Sequence, residues 1–232
     1  IPDHTIWCMH ADKNNNIWIG TRHAGMSLVN KDRGILKSFI HYPGSNNSPS
    51  ENNVRKIIAI NDSILCIGYE KKGIQFFNTR NHRFSNVPDL ESSWRSEVTI
   101  KTLYFRHPLL WIGTSGKGII AYNVTTKQVN AITVEHGLPN HTIYGILPDG
   151  NGALWISTNK GISRFSPPAD LRKVNPSHFT MFSAEDGLQS NEFNTGAYYR
   201  SENGQHFFGG IRGLNIFNPE KMIFGGGVFG PA

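Results

Sequence analysis

Only two cysteines, Cys8 and Cys66, stand among the 232 residues, each inside an apolar run. Two cysteines cannot make a disulfide scaffold, and neither has a partner at metal-ligand spacing. Two buried free thiols are the expectation. No apolar stretch approaches the roughly 18–20 residues that a membrane helix needs. No signal peptide is read at Ile1, and an excised or mature fragment is the expectation. The ten histidines form no HxH, HExxH or HxxxH grouping, so neither metal nor cofactor is expected. Paired carboxylates, a nucleophile elbow and a phosphate loop are all missing, which argues against an enzyme. Charged residues make up 17% and are scattered rather than run together. The net charge of +6 therefore permits an acidic partner without supplying the basic stripe that nucleic acid demands.

What is present is repetition. The sequence writes "LWIGTSGKGIIAY" from Leu110 and "LWISTNKGISRF" from Leu154, 44 residues later. Five segments share an aromatic-bearing strand, a Gly turn and a second strand. With Trp18, Cys66, Trp111, Trp155 and Phe207 as markers, the steps are 48, 45, 44 and 52. "IPDHTIWCMHADKNNNIWIG" aligns without gaps on "LPNHTIYGILPDGNGALWIS", 137 residues on. Each unit opens with a mixed apolar strand, and a fourth strand closes the first four units. No helical period competes.

Four short antiparallel strands repeated at this period predict an all-β chain, a β-propeller of four-stranded blades with about five blades present. The blade units are expected at 1–41, 42–88, 89–135, 136–183 and 184–222, with 223–232 a tail outside them. Trp18, Trp111, Trp155 and Phe207 are expected to wedge between blades. Gly20, Gly113 and Gly209 are expected to let strands approach.

The repeat resembles the two-component regulator propeller. The block Phe182–Phe193 with "GGIRGLNIFNPEKM" (Gly209 to Met222) is similar to the last blade before the Y_Y_Y domain in periplasmic sensors of hybrid two-component systems from gut bacteria. That resemblance implies a seven-bladed propeller, of which this is a part. It also implies a periplasmic ectodomain of an inner-membrane protein that dimerises, senses oligosaccharides and regulates polysaccharide utilisation through a cytoplasmic histidine kinase. The partners implied are an oligosaccharide, the remaining blades and the Y_Y_Y domain. "ILCIGYEKKG" departs from the pattern by placing Cys66 where a Trp is expected.

Candidate ligand residues sit on the turns between the second and third strands. Arg22 and His23, Lys72, Lys117, Lys160 and Arg212 each lie beside a turn glycine and suggest a positive collar suited to carboxylate or sulfate. Lysine is also a common hairpin-tip residue, and Glu135, Glu185 and Asp186 share that face. His4 and His141 hold equivalent places before the first strand, and Asn191 falls near that register. Trp7, Tyr144 and Tyr198 offer rings. "DGNGALW" resembles the sialidase Asp box, but Asp149 and Trp155 are six apart where that motif wants five. A glycan-cleaving or lyase propeller and a protein-interaction scaffold are the alternatives.

Overall fold

The computed structural model describes residues 3–30, 32–87, 90 and 97–222. The expected tail at 223–232 and the boundary at 88/89 lie outside the described residues. No helix among the described residues is long and apolar enough to cross a membrane.

The chain is all-β, and its sheets are β-propeller blades. The first holds β1 (Ile6–Ala11), β2 (Asn16–Thr21), β3 (Met26–Asn30) and β4 (Gly34–Phe39). The second holds β5 (Val54–Ala59), β6 (Ile64–Tyr69), β7 (Ile74–Asn78) and β8 (Arg83–Asn86), and the third β9 (Ile100–Arg106), β10 (Leu109–Thr114), β11 (Ile119–Asn123) and β12 (Val129–Ile132). The fourth has β13 (Gly145–Pro148), β14 (Leu154–Thr158), β15 (Gly161–Phe165) and β16 (Phe179–Phe182). The last has three strands, β17 (Phe193–Arg200), β18 (His206–Gly210) and β19 (Gly213–Phe217). Strands pair in chain order within every sheet, as consecutive hairpins.

Two compact units make up the chain: Ile1–Leu110 with Tyr122–Val129, and Trp111–Ala121 with Asn130–Ala232. In the first unit, Trp18 packs with Phe39, Tyr69, Phe77 and Phe84 between the first two blades. Gly20 is what permits this approach. A Cβ there would come within 2.6 Å of both Cys8 Sγ and Val54. Cys66 pairs with Ile58 and Phe76, the register that Trp18 occupies in the first blade, and it is fully buried. Both cysteines are free, and burial pushes the Cys8 thiol up to about 12.

In the second unit, Trp155 is completely buried with Leu147, Ile162 and Phe182 of its own sheet and Phe208 and Phe217 of the next. Its ring stacks on Phe182 at 5.4 Å and meets Phe217 at 4.8 Å. Trp111 meets Phe165 edge-on at 5.9 Å. Phe207 differs. It is half-buried beside Tyr199 on a face where Leu214 and Ile216 are exposed, and no further sheet covers that face among the described residues.

Candidate ligand-binding site

The threonine of the repeat shapes the tips that carry the basic residues. Thr21, Thr114 and Thr158 are buried. Their hydroxyls donate to the carbonyls of Gly25, Gly118 and Gly161 at 3.0, 2.8 and 3.1 Å. The same oxygens accept from the N–H groups of Ala24, Lys117 and Lys160 at 3.0, 3.1 and 2.9 Å. The three glycines have φ of 71°, 69° and 89°, and a Cβ would collide with the carbonyl of Phe39, Ile132 or Phe182. A left-handed residue without a side chain is required there.

Each tip is also tied to the chain entering the next blade. Gly25, Gly118 and Gly161 donate their N–H to the carbonyls of Asn52, His141 and Asn191 at 2.9, 2.7 and 2.6 Å. The structure thereby places half-buried His141 beside the Lys117 tip and exposed Asn191 beside the Lys160 tip. Asn191 Oδ1 accepts from Ala184 N–H at 2.7 Å. In the first blade Asp3, ahead of β1, adds a second tie to the tip. It accepts from Thr5 N–H at 2.9 Å and His23 N–H at 2.7 Å, and the Thr5 bond first holds its carboxyl below the usual carboxylate range. His4, Arg22, Lys72, Lys117, Lys160 and Arg212 are exposed. None of them makes an ion pair among the described residues. Arg212 N–H donates to Gln189 Oε1 at 2.8 Å, and Tyr144 packs its ring against the Trp155 core. Asp186 closes a turn by accepting from Ser183 N–H at 2.8 Å, behind the left-handed Gly187.

A cluster that the turn reading did not assemble stands at the start of the first strands. Trp7 is the second residue of β1, Arg55 of β5 and Lys101 of β9. In β1 and β5 this residue sits in the register irregularity between Ile6 and Cys8, or between Val54 and Lys56. The Arg55 guanidinium lies over the Trp7 ring at 3.7 Å, and that of Arg22 at 5.9 Å. Arg55 Nε pairs with Glu70. Burial holds Lys101 below the ordinary lysine value. The Arg55 charge adds to that effect, and Glu70 opposes it. The indole that the sequence offered as a stacking platform is thus a platform for guanidinium. Aligning repeats on their first strands, rather than on the Trp strand, would have exposed the Trp7, Arg55, Lys101 and Tyr144 series.

At the other end of the same strands is a cavity of about 290 Å³ lined by His10, Asp12, Lys13, Asn61 and Asp62. Its polar groups are taken up in the turns. Asp12 accepts from Asn14, Asn16 and Trp18, and Lys13 pairs with Asp62. Among the described residues no group of three or more His, Cys, Asp or Glu could hold a metal ion.

The two segments that align without gaps are also those that a known family matches: the two component regulator propeller, at residues 1–23 and 137–160. Those two segments are similar to the two-component regulator propeller repeat. Among solved structures it is similar to the extracellular domain of the hybrid two-component system BT3049 from B. thetaiotaomicron. That likeness has 28% identity and a TM-score of 0.75 over 93% of this chain and 28% of that one. The extracellular domain of BT4673 from the same organism shares the fold, at 18% identity and a TM-score of 0.73 over 95% of this chain and 28% of that one. Histidine kinase P4 of Formosa agariphila is 23% identical over 94% of this chain and 16% of its own length. The chain thus spans less than a third of each of these relatives.

Proposed function

We propose that this chain is part of the ligand-sensing propeller of an extracytoplasmic two-component receptor. The similarity to the extracellular domain of BT3049 across 93% of the chain carries this reading. The repeats and the histidine kinase relative support it. On this reading the chain sits in the periplasm and is itself non-catalytic. The kinase lies elsewhere in the same polypeptide, beyond the membrane.

The ligand we propose is an oligosaccharide, and the output is regulation of polysaccharide utilisation. The exposed hairpin tips and the first-strand cluster give hydroxyl- and anion-binding groups on rigid β-elements, which is where a recognition site gains accuracy. The remaining blades, a Y_Y_Y domain and a second copy of the receptor are the proposed partners. A ligand signals only if it binds two arrangements of that assembly with different affinity.

Thermal melting of the complete ectodomain against a panel of neutral and acidic oligosaccharides tests the proposal. A ligand at one hundred times its Kd stabilises the native state by about 2.7 kcal/mol and raises the midpoint. A panel in which no oligosaccharide moves the midpoint, while a protein partner does, overturns the oligosaccharide reading in favour of a scaffold.

A further inference from the structure

The first-strand cluster is electrostatically unbalanced. Arg22 and Arg55 bring two guanidinium groups to one indole, Lys101 on the next first strand lies within electrostatic reach of Arg55, and Glu70 is the carboxylate that pairs with Arg55. Arg55 is held from two sides, by the Trp7 face and by Glu70 at its Nε. Its two terminal nitrogens make no hydrogen bond among the described residues, nor does Lys101 Nζ. Arg55 and Glu70 are only 21% and 25% exposed at their side chains, so these donors are partly withdrawn from water. Like charges kept together in a half-buried place destabilise each other: burial first, and the Arg55 charge after it, lower the proton affinity of Lys101. Perturbed ionisable groups with a specific charge partner cluster at functional sites, and structural ion-pair networks show them too. A planar fork with its outer edge open, flanked by an ammonium, matches an oxyanion.

We infer that Arg55, Lys101 and Arg22, positioned by Trp7 and Glu70, form a subsite for an anionic substituent of a sugar, a carboxylate or a sulfate. This deepens the reading of the chain as an oligosaccharide sensor and rests on it. The oxyanion bridges the outer edge of Arg55 and Lys101 Nζ, and relieves the repulsion between them. Glu70 keeps the fork oriented and, as a negative charge, limits affinity for the anion.

Isothermal titration of the complete ectodomain with three probes tests this: a galactose trimer, a galacturonic acid trimer and a sulfated galactose trimer. The charged trimers are expected to bind at least about tenfold more tightly than the neutral one, and less tightly as salt is raised. The preference between the two charged trimers tells carboxylate from sulfate. K101Q is expected to weaken the preferred anion about tenfold, and E70Q to tighten it several-fold, each with a melting curve to show that the fold is kept. A cluster that is merely structural gives no tightening in E70Q. If the neutral trimer alone binds, or if K101Q leaves anion affinity unchanged, the subsite is wrong while the sensor reading stands. If none of the three binds and no other oligosaccharide does, both fall together.

Discussion

Trp155 donates its indole N–H to the Asp149 carboxylate at 3.3 Å, and Trp18 does the same to Asp12 at 3.2 Å. The pair links the two halves of one hairpin. Asp149 Oδ1 also accepts the N–H groups of Asn151 and Ala153 at 2.9 Å, which forms the turn, and Arg164 reaches Oδ2 at 3.3 Å. The six-residue spacing is therefore the span needed for a turn carboxylate to meet the indole that follows. Its likeness to an Asp box comes from shared turn chemistry. Asp149→Ala should destabilise the protein by about 3 kcal/mol, since it strands a buried indole N–H and two turn amides. Asp149→Asn, which keeps the acceptor for the amides, should cost less. Urea denaturation of the two variants checks the order.

The repeat was legible because its constraints are local. An aromatic, a small residue and a threonine recur where a hairpin must close and a neighbouring strand must approach, and each leaves a letter in the sequence. Where Cys66 replaces the tryptophan the register is unchanged, because the β5–β6–β7 pairing carries it. Tyr69 stands at the threonine position of that blade and donates its hydroxyl to Gln75 at 2.8 Å. Gln75 also accepts from Ser50 N–H at 3.1 Å, which anchors the incoming connection. The ligand cluster was not legible in the same way. Trp7, Arg55 and Lys101 come from three repeats and share a place only because consecutive first strands pack side by side. Their residue types differ, so no repeated letter marks them.

Gly161 and Gly204 both have positive φ, 89° and 82°, yet they should respond very differently to alanine. Gly204 has open space around it, with Arg200 at 3.9 Å as its nearest neighbour. Alanine there meets only the left-handed backbone penalty, about 1 kcal/mol. At Gly161 the added methyl runs into the Phe182 carbonyl, and the backbone bond to Asn191 at 2.6 Å resists any shift. Gly161→Ala should cost at least about 3 kcal/mol. Denaturation midpoints for the two single variants decide it, and equal losses would mean that the tip can yield.

His206 makes acid a specific threat to the fourth and fifth blades. It is fully buried, its Nε2 donates to the Pro148 carbonyl at 3.0 Å, and its Nδ1 has no hydrogen-bond partner among the described residues. Burial pulls it from its ordinary value of 6.5 down to about 4. Between those values the unfolded chain binds a proton that the native state refuses. Stability is therefore intact above pH 6.5 and falls as pH drops towards about 4, by up to roughly 3 kcal/mol. Replacing His206 with Phe removes the titration. Its stability should change less between pH 7 and pH 4.5 than that of the unaltered protein, whatever its absolute value.

The open face of the last sheet gives a prediction that depends on what surrounds the chain. In the first four sheets the apolar residue at the start of the third strand is buried: Met26, Ile74, Ile119 and Ile162 are 0–1% exposed. Leu214, at that position in β19, is 50% exposed, and Ile216 beyond it 47%. Ile162 is covered by Phe193 and Phe208 of the following blade, and nothing equivalent covers Leu214 among the described residues. Ile162→Glu should therefore unfold the chain in any context, because it buries an unpaired charge. Leu214→Glu should cost under about 0.5 kcal/mol in the chain alone, as surface substitutions do. In the complete ectodomain, where a further blade is expected to lie on this face, the same change should cost several-fold more. Melting both variants in both contexts measures the difference. A Leu214→Glu ectodomain as stable as the unaltered one would mean that the face stays open and that the blade series stops at β19.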